Sequence, residues 1–202
     1  MKANLSEFSS GELLPETEVV EALRSCGRHP RIYRSCRIVP ANRVSLGSSV
    51  QIDEGVRIYA GQGVEIGDYV HIAFTASISG GGRCRIGSFA SVGASVRILT
   101  GTDTPADGRL NNPTVPESYR SVERGETELG EFSVVYTNSV VFPGVVIGAG
   151  AVVSAGGIVH RSLKPWTVYA GNPLVAVGKR DEMSIRTIAE RLRNEESSGE
   201  TV

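Results

Sequence analysis

No apolar run in the 202-residue chain reaches the length of about 18 residues that a membrane-crossing helix needs. No charged-then-apolar leader opens it either, so the expectation is a soluble, cytoplasmic protein with no membrane partner. Neither sign of charge dominates: 21 basic residues face 22 acidic ones, the net charge is −1, and no lysine- or arginine-rich run stands out. That balance offers nucleic acid no electrostatic footprint. The three cysteines, Cys26, Cys36 and Cys84, form neither an even set nor a CxxC pair, which argues against a disulfide framework and a zinc site, and no metal is expected. There is no Walker-type phosphate loop and no GxGxxG after a strand. Aromatic residues are scarce, at 6%.

Glycine is abundant, at 24 residues, and valine and isoleucine are frequent. Glycine without a strict period fits many tight corners between short β segments. From residue 46 the chain divides into aliphatic-led hexads: LGSSVQ, IDEGVR, IYAGQGVE, IGDYVH, IAFTAS, ISGGGRCR, IGSFAS, VGASVR and ILTGTD, two of them carrying two extra residues. After an interruption the phase returns in LGEFSV, VYTNSV, VFPGVV, IGAGAV, VSAGGI and VHRSLK. An amphipathic helix repeats its apolar residues at a period of about 3.6, and an exposed strand alternates. Hexads satisfy neither. They suit an all-β solenoid in which each lead aliphatic points inward and stacks on its equivalents above and below, three hexads closing a coil and about five coils forming the array.

With this period, and with KPWTVYAGNPLVAVGKR at 164–180 as an exit from the last coil, residues 36–180 resemble the hexapeptide-repeat family of left-handed parallel β-helix proteins. Most of that family are acyl-CoA-dependent acyltransferases. The run from VHIA through SGGG to TGTD and NPTVP is similar to the subgroup acting in sugar-nucleotide and polysaccharide pathways. The resemblance implies acetyl-CoA as co-substrate, a sugar or sugar-nucleotide acceptor, and active sites between the subunits of a homotrimer.

Residues 104–127 break the phase and are rich in Pro, Asn and Gly, which reads as an ordered functional loop. It leaves the corner where the earlier coils carry their extra residues. Residues 1–35 hold a short helix, with Pro15 near its start, Val19, Val20 and Leu23 on its apolar side and Gly27 as its stop. Residues 181–202 hold a C-terminal helix with Ile185, Ile188 and Leu192 on one face, followed by a frayed tail at SSGETV.

Acyl transfer from a thioester needs a base, oxyanion donors and a grip on the carrier. Histidine is the natural base near neutral pH, and the chain has three. His29 lies outside the repeats and His160 sits in the last coil. His71 ends a hexad at a corner, one coil before the loop, with Ser91 in register above it. The resemblance favours His71 as general base. Related O-acetyltransferases carry their histidine where this chain reads LTGTDTPAD, and Asp103 stands there instead. An aspartate is a weak base toward an alcohol at neutral pH. Asp103 is therefore expected to orient an imidazole or to bind the acceptor, with Asn112 of the loop beside it, and an amine acceptor fits better than an alcohol. The family's coenzyme A groove maps onto Ser154, Ala155 and Gly156, then Ala170, Gly171, Asn172 and Pro173, with Lys179 or Arg180 near phosphates. Trp166 is expected as a packing anchor. The alternatives are a non-catalytic scaffold, an O-acetyltransferase of free saccharides or antibiotics, and a γ-type carbonic anhydrase of this fold, for which a third histidine converging on zinc is lacking.

Overall fold

The structure, a computed structural model, describes residues 11–104 and 108–198. The loop residues 105–107 and most of the SSGETV tail lie outside the described residues. Three parallel sheets wrap one axis. The first face begins at Ser25–Cys26, the second at Arg31–Ile32 and the third at Arg37–Val39, and the order repeats until Thr167–Ala170. The result is a β-solenoid of about seven turns rather than about five. The extra turns come from both ends. In the first coil Cys26 takes the lead position and pairs with Leu46, and at the other end Leu163 and Tyr169 follow Ile147 and Val153.

The lead residues form inward columns, as the hexads predict. On the second face Ile32, Ile52, Ile72, Val92, Val135, Val153 and Tyr169 stack in register. All seven are buried in one core. Each buried aliphatic of this kind contributes roughly 1.5–3 kcal/mol relative to exposure. Cys84 fills an inward site between Val64 and Thr127, and burial pushes its thiol up to about 12, leaving an inert neutral group.

Strand repeats are 20 residues apart in the early coils (Leu46 to Ile66) and 18 later (Leu129 to Ile147). The surplus sits at the corner between the third and first faces, which is where the loop leaves. Gly80 permits this: its φ is +117°, and a Cβ there would lie 2.1 Å from the backbone nitrogen of Gly101.

Helix α1 spans Glu16–Ala22 and buries Val19 against the first coil, but it ends before Gly27 because Ser25–Cys26 is already a strand. Helix α2 spans Glu182–Ser198. It lies on an aromatic ladder in which Tyr69, Phe89 and Phe132 stack at 4.7 and 5.2 Å, with Trp166 tilted against Phe132. All four aromatics occupy left-handed backbone at the same corner, Tyr69, Phe89 and Phe132 on successive coils and Trp166 two coils beyond Phe132. Gly150 holds the intervening position, where a Cβ would strike the Trp166 ring. Arg186 covers the Phe132 and Trp166 rings, Arg193 covers Phe89, and Glu196 bonds the Tyr69 hydroxyl, which burial and that bond push up to about 12. The buried face of α2 is centred on Ala189. Ile188, expected on that face, is 69% exposed at its rim.

Candidate functional site

His71 opens the strand His71–Ile72 on the second face. Because Ile72 points into the core, the preceding imidazole points out. It is half-exposed, and its Nε2 lies 2.8 Å from Asp53 Oδ2. Asp53 directly follows the equivalent strand, Gln51–Ile52, one coil earlier, and its other oxygen accepts from Gln51 Nε2 at 2.7 Å. A carboxylate only accepts, so the histidine bond places the proton on Nε2 and leaves Nδ1 with its lone pair. Gln51, His71 and Ser91 stand in register on consecutive strands, as the hexad phase predicts for Ser91. Gln51, Asp53 and Phe74 line an adjoining groove of about 330 Å³.

Sequence reasoning missed Asp53. The signal that finds it is the 20-residue register, which sets Gln51 against His71 and so puts Asp53 one step past the imidazole on the neighbouring coil.

Asp103 is elsewhere. It ends the strand Gly101–Asp103, which pairs antiparallel with Val122–Arg124 to form the stem of the loop. Its partner is Arg120, whose Nε and Nη2 both bond Oδ1 at 3.1 and 2.7 Å, leaving Oδ2 without a partner among the described residues. Within the chain, then, the imidazole is held by Asp53 and not by Asp103. Asn112 turns inward on its own loop, Oδ1 accepting from both Thr114 N and Thr114 Oγ1. This asparagine stiffens the loop, as the NNPTVP composition predicts.

The residues assigned to the carrier gather at the far end of the solenoid. Ser154 N bonds Tyr169 O, which brings Ser154, Ala155 and Gly156 beside Ala170. Gly171, Asn172 and Pro173 form the reversal between the antiparallel strands Thr167–Ala170 and Val175–Lys179. The two cations do not project freely. Lys179 Nζ donates to Thr167 Oγ1, and Arg180 Nη1 donates to the carbonyls of Phe132 and Gly150, so Arg180 buttresses the aromatic ladder. Between His71 and this end the outward column of the second face continues through Ser91 to Val134, Val152 and Val168. Four strand steps of about 4.8 Å make a track of about 19 Å. His29 and His160 lie in the first coil and after the last strand of the third face, and no group of metal-ligating residues converges among the described residues.

No family model matches the chain. A dTDP-4-amino-4,6-dideoxy-D-glucose acyltransferase from Escherichia coli is 28% identical over 171 residues, covering 84% of this chain and 89% of that protein. The crystal structure of AntD, an N-acyltransferase from Bacillus cereus in complex with dTDP and 3-hydroxybutyryl-CoA, superposes with a TM-score of 0.85 at 27% identity, over 93% of this chain and all of that one. The chain is an acyltransferase that shares the β-solenoid of these proteins. PerB from Caulobacter crescentus, solved with CoA and GDP-perosamine, matches this acyltransferase with a TM-score of 0.56 at 26% identity, over 75% of this chain and 58% of that one. The AntD and PerB structures hold 3-hydroxybutyryl-CoA and CoA, and acyl-CoA is the co-substrate. The non-catalytic scaffold is thereby set aside.

Proposed function

We propose that the protein transfers an acyl group, acetyl in the simplest case, from acyl-CoA to the amine of a nucleotide-linked amino sugar, with His71 as general base. The observation that carries this is the outward-facing Gln51–Asp53–His71 relay, in a chain aligned almost end to end with N-acyltransferases whose structures hold CoA and dTDP.

The chemistry follows from the atoms. Nδ1 takes a proton from the acceptor nitrogen as that nitrogen attacks the thioester carbonyl carbon and the C–N bond forms. The C–S bond then breaks, and the leaving thiolate recovers the proton from the imidazolium, giving amide and free coenzyme A. Asp53 stabilises the transient imidazolium and fixes the ring. The pantetheine arm runs along the Val134–Val152–Val168 column, with the adenine end by Ala170–Pro173. Asp103 Oδ2 receives the acceptor's amine, with Arg120 holding the carboxylate in place. The enzyme works in the cytoplasm as a homotrimer, so that the 104–127 loop of one subunit reaches the face of the next.

The test is coenzyme A thiol release from acetyl-CoA against nucleotide-linked 4-amino sugars, the same nucleotide sugars lacking the amine, and free saccharides. Turnover confined to the amines supports the reading. Turnover only with free saccharides would replace it with O-acylation of an unactivated sugar.

A further inference from the structure

The third face carries an unpaired arginine stripe. Arg37, Arg57, Ser77 and Arg97 stand in direct register on four successive strands, and Arg37 and Arg57 are immediate neighbours. Like charges directly opposed in a sheet destabilise it. The first face of the same coils solves this problem by interleaving signs: Arg83 and Arg85 pair with Glu65, and Arg85 also with Glu126. On the third face, among the described residues, none of the three arginines forms an ion pair, and Arg97 donates only to the carbonyl of Thr75. A chain of net charge −1 that neutralises one face and leaves the next bare is presenting cations to an anion.

Arg57 and Arg97 of the stripe line a groove of about 480 Å³ with Tyr59, Thr75, Ser77 and Ser79. That volume lies within the range of about 300–1,000 Å³ usual for small-ligand sites. Arg57 and Arg97 flank the Ser77 position from either side, one strand step of about 4.8 Å each way. Guanidinium groups suit phosphate oxygens bidentately, and serine hydroxyls supply further donors. Tyr59, two residues beyond Arg57 on the same side of the strand and 43% exposed, offers a flat apolar surface with a polar tip. The groove also adjoins the catalytic edge. Gly55 and Thr75 line it, while their chain neighbours Glu54 and Phe74 line the groove beside Asp53 and Gln51.

We propose that this groove seats the nucleoside diphosphate of the acceptor, Arg57 and Arg97 gripping the phosphates and Tyr59 covering the base. The sugar then turns round the edge at Phe74 toward His71. The assignment rests on the nucleotide-linked acceptor argued above. Coenzyme A also carries a diphosphate, but the arginine stripe occupies the first four coils, away from the exit segment.

Titration calorimetry with dTDP, UDP and GDP, each alone, decides it for wild type, Arg57→Gln and Arg97→Gln, with CoA titrated in parallel and assembly mass followed by light scattering. At least one nucleotide should bind the wild type, increasingly weakly as salt rises, and each substitution should weaken it about tenfold or more. CoA affinity and assembly mass should not change. Nucleotide affinity that survives both substitutions would move the site elsewhere while leaving the acceptor class intact. CoA binding weakened in place of nucleotide binding would hand the stripe to the carrier. A changed assembly mass with unchanged nucleotide affinity would make the stripe an interface between copies. A wild type that binds CoA but none of the nucleotides would overturn the groove assignment and the nucleotide-linked acceptor together.

Discussion

At the scale of single residues, the chemistry of His71 is set by the bond that Asp53 accepts. Without that carboxylate the ring can rotate or take the other tautomer, and a positive charge forming on it has no counter-charge within reach. Asp53→Asn keeps the shape and removes the charge, so kcat should fall roughly tenfold or more while the KM for acyl-CoA stays near wild type. A steady-state comparison with acetyl-CoA as the varied substrate checks this, and an unchanged kcat would reduce Asp53 to a surface partner. His71 was singled out in the sequence because it ends a hexad one coil before the loop, and it stands on a strand of the second face rather than at a corner. Asp53 was not, because it lies 18 residues away and meets the imidazole only through coil-to-coil register. Asp103 was singled out for its sequence context, and only the folded loop stem reveals that Arg120 is its partner.

At the scale of elements, α2 is held by the ladder of Tyr69, Phe89, Phe132 and Trp166 more than by its own apolar stripe. The periodicity of 181–196 predicts the helix and the inward placing of Ile185 and Leu192, but Ala189 is the buried centre of that face and Ile188 lies at its exposed rim. The ladder has no sequence signature. Its members sit in turns, at left-handed positions where small or polar residues are usual, and their spacing follows the coil period rather than any local one. Phe132 is the central rung, touching Phe89, Trp166 and the Arg186 guanidinium. Phe132→Ala should cost about 3 kcal/mol by cavity formation and lost stacking, whereas Ile188→Ala should stay within about 0.5 kcal/mol. Denaturant unfolding of the two variants side by side measures both. Equal effects would mean that α2 is anchored by its rim and not by the ladder.

At the scale of the whole molecule, the solenoid was legible because one physical requirement, an inward aliphatic at each flat face, recurs through most of the chain. Its first coil was not, because Cys26 replaces the lead aliphatic there, and the exit read at 164–180 hid a further turn, which Tyr169 and the antiparallel strand Val175–Lys179 close without the hexad signature. The same architecture separates the two ends of the proposed site. The His71 relay lies in the early coils and the AGNP reversal at the exit, joined by an outward column that turns from polar to apolar along the second face. An extended acyl carrier lying on that column would bring its thioester to the imidazole.

The most direct test of this account is turnover by His71→Ala with acetyl-CoA and a nucleotide-linked 4-amino sugar that the wild type acylates. The account predicts a loss of about a hundredfold or more in kcat with CoA affinity retained. Turnover within a few-fold of wild type would contradict it, leaving the fold and the carrier in place but taking the base away from His71.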